Sequence, residues 1–181
     1  MTGMGERNPL AILHELGQKL LENAHGLPQQ NEVREEWVGI GFRIGDLRLV
    51  APLGEVIEIL PPPGASKVPR TKNWVWGIAN VRGNLLPVMD LHNYLRGAPT
   101  VRTRRTRVLV VNHQGVFSGL VVDEVLGLRH FLQEEQVTEL PTDDAALVEY
   151  LTHGFRRDDE HWGVFSVHVL AESPQFLQAA V

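Results

Sequence analysis

An arginine set inside a tight turn is the residue of this chain best placed to recognise something. Arg82 falls in Asn80-Val81-Arg82-Gly83-Asn84, between two apolar runs. Asn80, Gly83 and Asn84 tolerate left-handed backbone angles, so the segment reads as a hairpin turn. A guanidinium held there can fork onto a carboxylate, and Glu58, the one polar residue of Val56-Ile57-Glu58-Ile59, is the candidate. From the residues alone two readings stand: a structural hairpin with an incidental arginine, and a recognition site built on an Arg82–Glu58 pair.

The other groups with chemical potential fit known reactions poorly. Eight histidines raise the question of a metal, but no two stand at the four-residue spacing that puts both rings on one helix face. His153, His161 and His168 are seven and eight apart, so spacing predicts no metal site, although residues distant in sequence can still converge. Ser118 in Gly115-Val116-Phe117-Ser118-Gly119 lacks the order of a nucleophile elbow. Gly39-Ile40-Gly41-Phe42-Arg43-Ile44-Gly45 has one residue too many for a dinucleotide fingerprint and leads into strand rather than helix. Asp143-Asp144 and Asp158-Asp159-Glu160 are acids in polar turns, where solvated charge is the expectation. Without cysteine, thiol catalysis, disulfides and cysteine-zinc sites are excluded, which suits a reducing cytoplasm. No catalytic residue, cofactor or metal is therefore expected.

Arg102-Thr103-Arg104-Arg105-Thr106-Arg107 supplies the main rival, since four arginines in six residues can track a phosphate backbone. No aromatic residue is interleaved for base stacking, and the formal net charge of -5 argues against a protein that mainly neutralises phosphates. The alternatives are an exposed linker or a contact with an acidic partner surface.

These residues must be held by short strands. From Trp37 onward the chain consists of brief apolar runs broken by glycine and proline: Trp37 to Phe42, Arg48 to Ala51, Val56 to Leu60, Trp74 to Ala79, Leu85 to Met89, Val108 to Val111, Phe117 to Val122, Val125 to Phe131 and Trp162 to Leu170. Such a series predicts an all-β fold of small barrels or a sandwich. Pro61-Pro62-Pro63 cannot be a central strand. Gly97 to Arg107 is the expected junction between two halves. Pro141-Thr142-Asp143-Asp144 is expected to cap a short helix through Tyr150, and Ser173-Pro174 to start a last short helix into Val181.

Ahead of the strands, residues 1–34 form a helical extension, with a helix from Pro9, capped by Asn8, to His25. Leu13, Leu16, Leu20 and Ala24 make one apolar stripe along it, packed on its own domain or offered to a partner. No apolar run reaches the roughly 20 residues a membrane span needs. At 181 residues and 43% hydrophobic the chain is long enough to bury a sizeable core without a staple.

One family fits the order of these blocks. Gly77 to Leu91, with its Asn80-Val81-Arg82-Gly83 turn followed by Pro87, two residues and Asp90-Leu91, resembles the signature hairpin of the CheW-like coupling proteins of chemotaxis. Val81 stands where that family usually has leucine. Phe42 to Asp46, Glu55 to Ile59, Gly119 to Val125 and Tyr150 to Gly154 resemble further family segments in the same order, so the likeness runs from about Val38 to Leu170. The resemblance implies two intertwined SH3-like five-stranded β-barrels over residues 35–181, an N-terminal helix, a short C-terminal helix and no active site. It also implies partners: the regulatory domain of a CheA-type histidine kinase on one surface, and the helical tip of a methyl-accepting receptor in a groove between barrels. Glu58, and Arg82 within the Asn80-Val81-Arg82-Gly83 turn, would be the charged pair beside the receptor site, and Val56, Val122 and Val125 would form its apolar wall. The chain would act in the cytoplasm, recruited to membrane-bound receptor complexes. The leading helix, the Trp74-Val75-Trp76-Gly77 strand and the run from Trp162 to Ala171 resemble the type IV pilus, twitching-motility branch of this family more than its flagellar branch.

Overall fold

Alternating apolar residues and glycine-bearing turns produce twelve strands in the computed structural model, which describes residues 36–179. The helix expected from Pro9 to His25 and the extension 1–34 lie outside the described residues. In chain order the elements are β1 (Glu36–Ile44), β2 (Leu47–Pro52), a 3-10 turn (Leu53–Glu55), β3 (Val56–Leu60), β4 (Ala65–Ser66), β5 (Val75–Val81), β6 (Asn84–Asp90), α1 (Leu91–Arg96), β7 (Arg107–His113), β8 (Val116–Val122), β9 (Glu124–Leu132), a 3-10 turn (Gln133–Glu135), β10 (Gln136–Val137), α2 (Ala145–Val148), β11 (Leu151–Arg157), β12 (Glu160–Phe165), α3 (Val167–Glu172) and α4 (Pro174–Leu177). The all-β class with short helices is what the chain adopts.

The strands make two six-stranded sheets, ordered β10-β11-β12-β2-β1-β9 and β3-β7-β8-β6-β5-β4. Most neighbours are antiparallel, with parallel joins where β12 meets β2 and β6 meets β8. The chain passes from the first sheet to the second at the Leu53–Glu55 turn and returns at Asp123, between β8 and β9. The segment 97–107 leads instead from α1 into β7 of the second sheet.

Burial divides the same way. Val50, Phe131, Phe155, Trp162 and Val164 form an apolar cluster on the first sheet, and Ala79, Leu86, Val88, Val108, Val110 and Val121 form one on the second. A third, larger cluster joins them through Ile40, Phe42 and Leu49 of the first sheet and Leu109, Val111, Leu120 and Val122 of the second. Each fully buried Leu, Val or Phe contributes about 1.5–3 kcal/mol of transfer free energy, so the shared cluster holds the two sheets together. Gly77 is required where β5 passes β4: its φ is +143° and an added Cβ would stand 2.4 Å from the Ser66 carbonyl oxygen.

The helices end strands at polar caps. The Asp90 side chain accepts from the Asn93 N–H at 3.0 Å and starts α1, and Gly97 closes it with φ +68°. Asp90 is buried yet fully engaged, for it also accepts from the Thr100 N–H at 2.9 Å and the Thr100 hydroxyl at 2.7 Å. Two sequence expectations change here. The strand read from Trp162 to Leu170 stops at Phe165, because the Ser166 hydroxyl accepts from the Val169 N–H at 3.2 Å and caps α3. The helix starting at Pro174 ends at Leu177 rather than reaching Val181. Hydroxyls of Tyr94, Tyr150 and Ser173 meet at 2.8–3.3 Å, and Trp74 stacks on Phe176 at 5.6 Å, fixing α4 against α1.

Candidate functional site

The β5–β6 hairpin closes with two residues, since Val81 pairs directly with Asn84. Both residues of the loop have positive φ, Arg82 at +50° and Gly83 at +87°, the signature of a type I′ turn. The left-handed positions are thus Arg82 and Gly83; Asn80 serves by its side chain, whose Oδ1 accepts from the Gly83 N–H at 2.9 Å, and Asn84 pairs in the strand. A non-glycine residue in this conformation costs roughly 1–2 kcal/mol. The β7–β8 hairpin repeats the device: Asn112 Oδ1 accepts from the Gly115 N–H at 2.9 Å, and Gln114 and Gly115 have φ of +50° and +86°. Positive φ at the first loop position is therefore a property of both hairpins, and what distinguishes the first is its side chain.

The Arg82 guanidinium donates to Glu58 Oε1 across β3 and the hairpin. The Arg82 side chain is 75% exposed and that of Glu58 27%, so the carboxylate is sheltered while most of the guanidinium faces solvent with donors to spare. Beside the pair lies a shallow groove of about 460 Å³, lined by Ile57, Glu58, Val81, Arg82, Leu85 and Phe117 among others. Ile57, Leu85 and Phe117 are 54%, 74% and 50% exposed, large apolar side chains at the surface with a charge at their rim. An exposed apolar centre with a polar rim is what protein docking surfaces present.

The sequence-based site residues separate into three places. Glu58, Val81 and Arg82 line the groove, and Asn80 and Gly83 build the turn that presents it. Val56 and Val125 are half-buried against the core between the sheets and do not line the groove. Val122 is fully enclosed in that core and has no surface to offer a partner, because β8 buries Leu120, Val121 and Val122 in succession instead of alternating. The groove lies on the second sheet, its lining residues coming from β3, β5, β6, β7 and β8 and, for Arg82, from the β5–β6 turn. Ile57, Leu85 and Phe117 were not singled out from sequence; their apolar character was visible, their exposure was not.

The arginine run is largely occupied within the fold. Arg102 donates to the Pro62 carbonyl at 3.2 Å and lies over the Trp76 ring at 5.6 Å, while Arg107 donates to the Arg104 and Thr106 carbonyls, both at 2.8 Å. Arg105 reaches Glu124 at 3.6 Å. His113 and His168, 55 residues apart, come together at 3.2 Å between Nδ1 atoms. Among the described residues no helix is long and apolar enough to cross a membrane.

Comparison with known proteins agrees with this geometry. The family described as the CheW-like domain matches residues 38–175. The chain is 44% identical to Protein PilI of Pseudomonas aeruginosa over 175 residues, covering 97% of this chain and 98% of that protein. It is 33% identical to the chemotaxis protein CheW of Helicobacter pylori over 113 residues, 62% of this chain and 68% of that one. The crystal structure of the scaffolding protein TtCheW from Thermoanaerobacter tengcongensis superposes with a TM-score of 0.67 at 21% identity, over 77% of this chain and 95% of that chain, a likeness of fold.

Proposed function

The chain belongs to the CheW-like domain family, and from that premise we propose that it is a non-catalytic adaptor coupling a methyl-accepting chemoreceptor to a CheA-type histidine kinase, in a system controlling type IV pilus twitching motility. The observation that carries this reading is the Arg82–Glu58 pair at the rim of an exposed apolar groove, on the hairpin that bears the family signature. Glu58 orients the guanidinium while occupying one of its donors, so Arg82 can engage a carboxylate of the receptor tip while Ile57, Leu85 and Phe117 cover its apolar face. The kinase regulatory domain docks on another surface. An adaptor of this kind changes kinase output only by binding the signalling states of receptor and kinase unequally, so its effect is differential affinity and not chemistry.

The near full-length likeness to PilI, against a partial one to the Helicobacter CheW, supports the pilus pathway over the flagellar one. The adaptor works in the cytoplasm, drawn to membrane-bound receptor complexes by its partners. Calorimetric titration of the full chain with a kinase regulatory domain and, separately, with a receptor signalling-tip fragment from a twitching organism tests the reading. Saturable binding to both is expected; binding to neither overturns it.

A further inference from the structure

Helix α3 meets the end of β7 through a group of side chains outside the Arg82 groove. His113 closes β7, and His168 and Glu172 stand four apart on α3. Their ligand atoms all lie within 4.8 Å of one another. The two imidazoles approach at 4.5 Å between ring centres. Their Nε2 atoms face one carboxylate, at 3.6 Å from His113 to Glu172 Oε1 and 3.5 Å from His168 to Glu172 Oε2.

These separations are too long for hydrogen bonds, and His113 Nε2 is shielded from solvent with no hydrogen-bond partner. A buried ring nitrogen is seldom left unmet. Two ligands held at about 2.0–2.2 Å around a tetrahedral ion stand ~3.4 Å apart, close to the 3.5 and 3.6 Å that separate the two Nε2 atoms from the Glu172 carboxylate. Glu55 adds a further carboxylate close by: its Oε2 accepts from the Val167 N–H at 2.8 Å. Burial raises the pKa of Glu55, and the backbone bond and the charges of His168 and His113 oppose that rise.

The geometry points to a divalent transition-metal site, formed by His113, His168 and Glu172, that takes Zn²⁺ or a similar borderline cation. Two imidazoles and a carboxylate suit such an ion, and the three ligands leave a position for water or for Glu55. When both Nε2 atoms ligate, each ring keeps its Nδ1 proton, so the exposed His168 ring turns to open the Nδ1 contact. The bound ion joins α3 to β7 of the second sheet, and His113 also lines an apolar cavity of about 200 Å³ with Val167, Leu170 and Phe176. Sequence spacing could not show the site because the two histidines come from separate elements.

Untagged full-length protein titrated with Zn²⁺, and with Co²⁺ as a visible-band probe of tetrahedral coordination, tests the site. Saturation at one equivalent is expected from this site, with affinity falling about tenfold or more in His168→Ala and in Glu172→Gln, further in the double variant, and with loss of the Co²⁺ band. Both substituted residues are exposed, and circular dichroism checks that the variants stay folded. A wild-type chain that does not saturate with Zn²⁺, or a folded double variant whose Zn²⁺ affinity stays within about twofold of wild type, overturns the proposal.

Discussion

Replacing Arg82 by glutamine separates recognition from folding, because the fold already accommodates glutamine in that pose. Gln114 occupies the equivalent position of the neighbouring hairpin at the same φ of +50°, so Arg82→Gln leaves the backbone cost unchanged. What the variant loses inside the protein is an ion pair whose arginine is 75% exposed. Pairs of that kind contribute about 0.2–1 kcal/mol. For a domain of this size that is a fall in Tm of no more than about 4 °C. A charge-assisted bond from Arg82 to a partner carboxylate is worth about 1.5–3 kcal/mol, which corresponds to roughly a 10- to 150-fold loss of receptor affinity. Titration calorimetry against the receptor-tip fragment, beside thermal unfolding of the free variant, reads both numbers. Glu58→Gln completes a double-mutant cycle: if Glu58 acts by orienting Arg82, its effect on affinity vanishes in the Arg82→Gln background. A fall in Tm beyond about 6 °C would make Arg82 a structural residue, and receptor affinity unchanged within error would refute its role at the interface.

Three other perturbations probe the surroundings. Phe117→Asp places a charge in the centre of the groove, so partner affinity should drop by about tenfold or more in the same titration while Tm moves little, since half the side chain is already in water. Asp90→Ala removes the α1 cap and leaves the buried Thr100 N–H and hydroxyl without an acceptor; about 3 kcal/mol of stability should be lost, seen as a Tm lower by roughly 6–12 °C. Burial holds the His153 imidazole below the usual histidine range, so as pH falls the unfolded chain is protonated first. Its contribution is therefore complete above about pH 6.5 and lost as pH drops toward the folded-state value. His153→Gln should flatten the decline of Tm between roughly pH 7 and 5.5, and a decline as steep as that of wild type would dissociate His153 from it.

The turn and its charge pair were legible because they depend on local chemistry: asparagine and glycine fix the loop, and an isolated glutamate in an apolar strand marks a partner for arginine. Strand positions were legible from short apolar runs for the same reason. The helices were harder to read. Leu91 to Arg96 is only six residues, too few for a helical period to show, and Val167 to Leu170 continues the valine-rich stretch that begins at Val164 of β12 and is turned into helix by the Ser166 cap. The wall of the site was illegible on different grounds. Val122, Val56 and Val125 look no different in sequence from Ile57 or Phe117, yet the first three are taken up by the contact between sheets while the last two lie on a face nothing among the described residues covers. Which face of a strand is covered is decided by elements far along the chain.

The two crossings of the chain carry a consequence for how the protein is made. Residues 56–122 hold every strand of the second sheet, whereas the first sheet pairs β1 with β9, strands that lie on opposite sides of that whole segment. Joining β1 to β9 requires closing a loop of some eighty residues, while the second sheet needs shorter closures. On an emerging nascent chain the sheet that carries Arg82 is thus complete when the ribosome has released β8, and β1 and β2 must wait with unpaired edges until β9 to β12 follow. Those waiting edges are where a stalled or truncated chain will aggregate, and the shorter closures of the second sheet should gain protection first in pulsed hydrogen exchange.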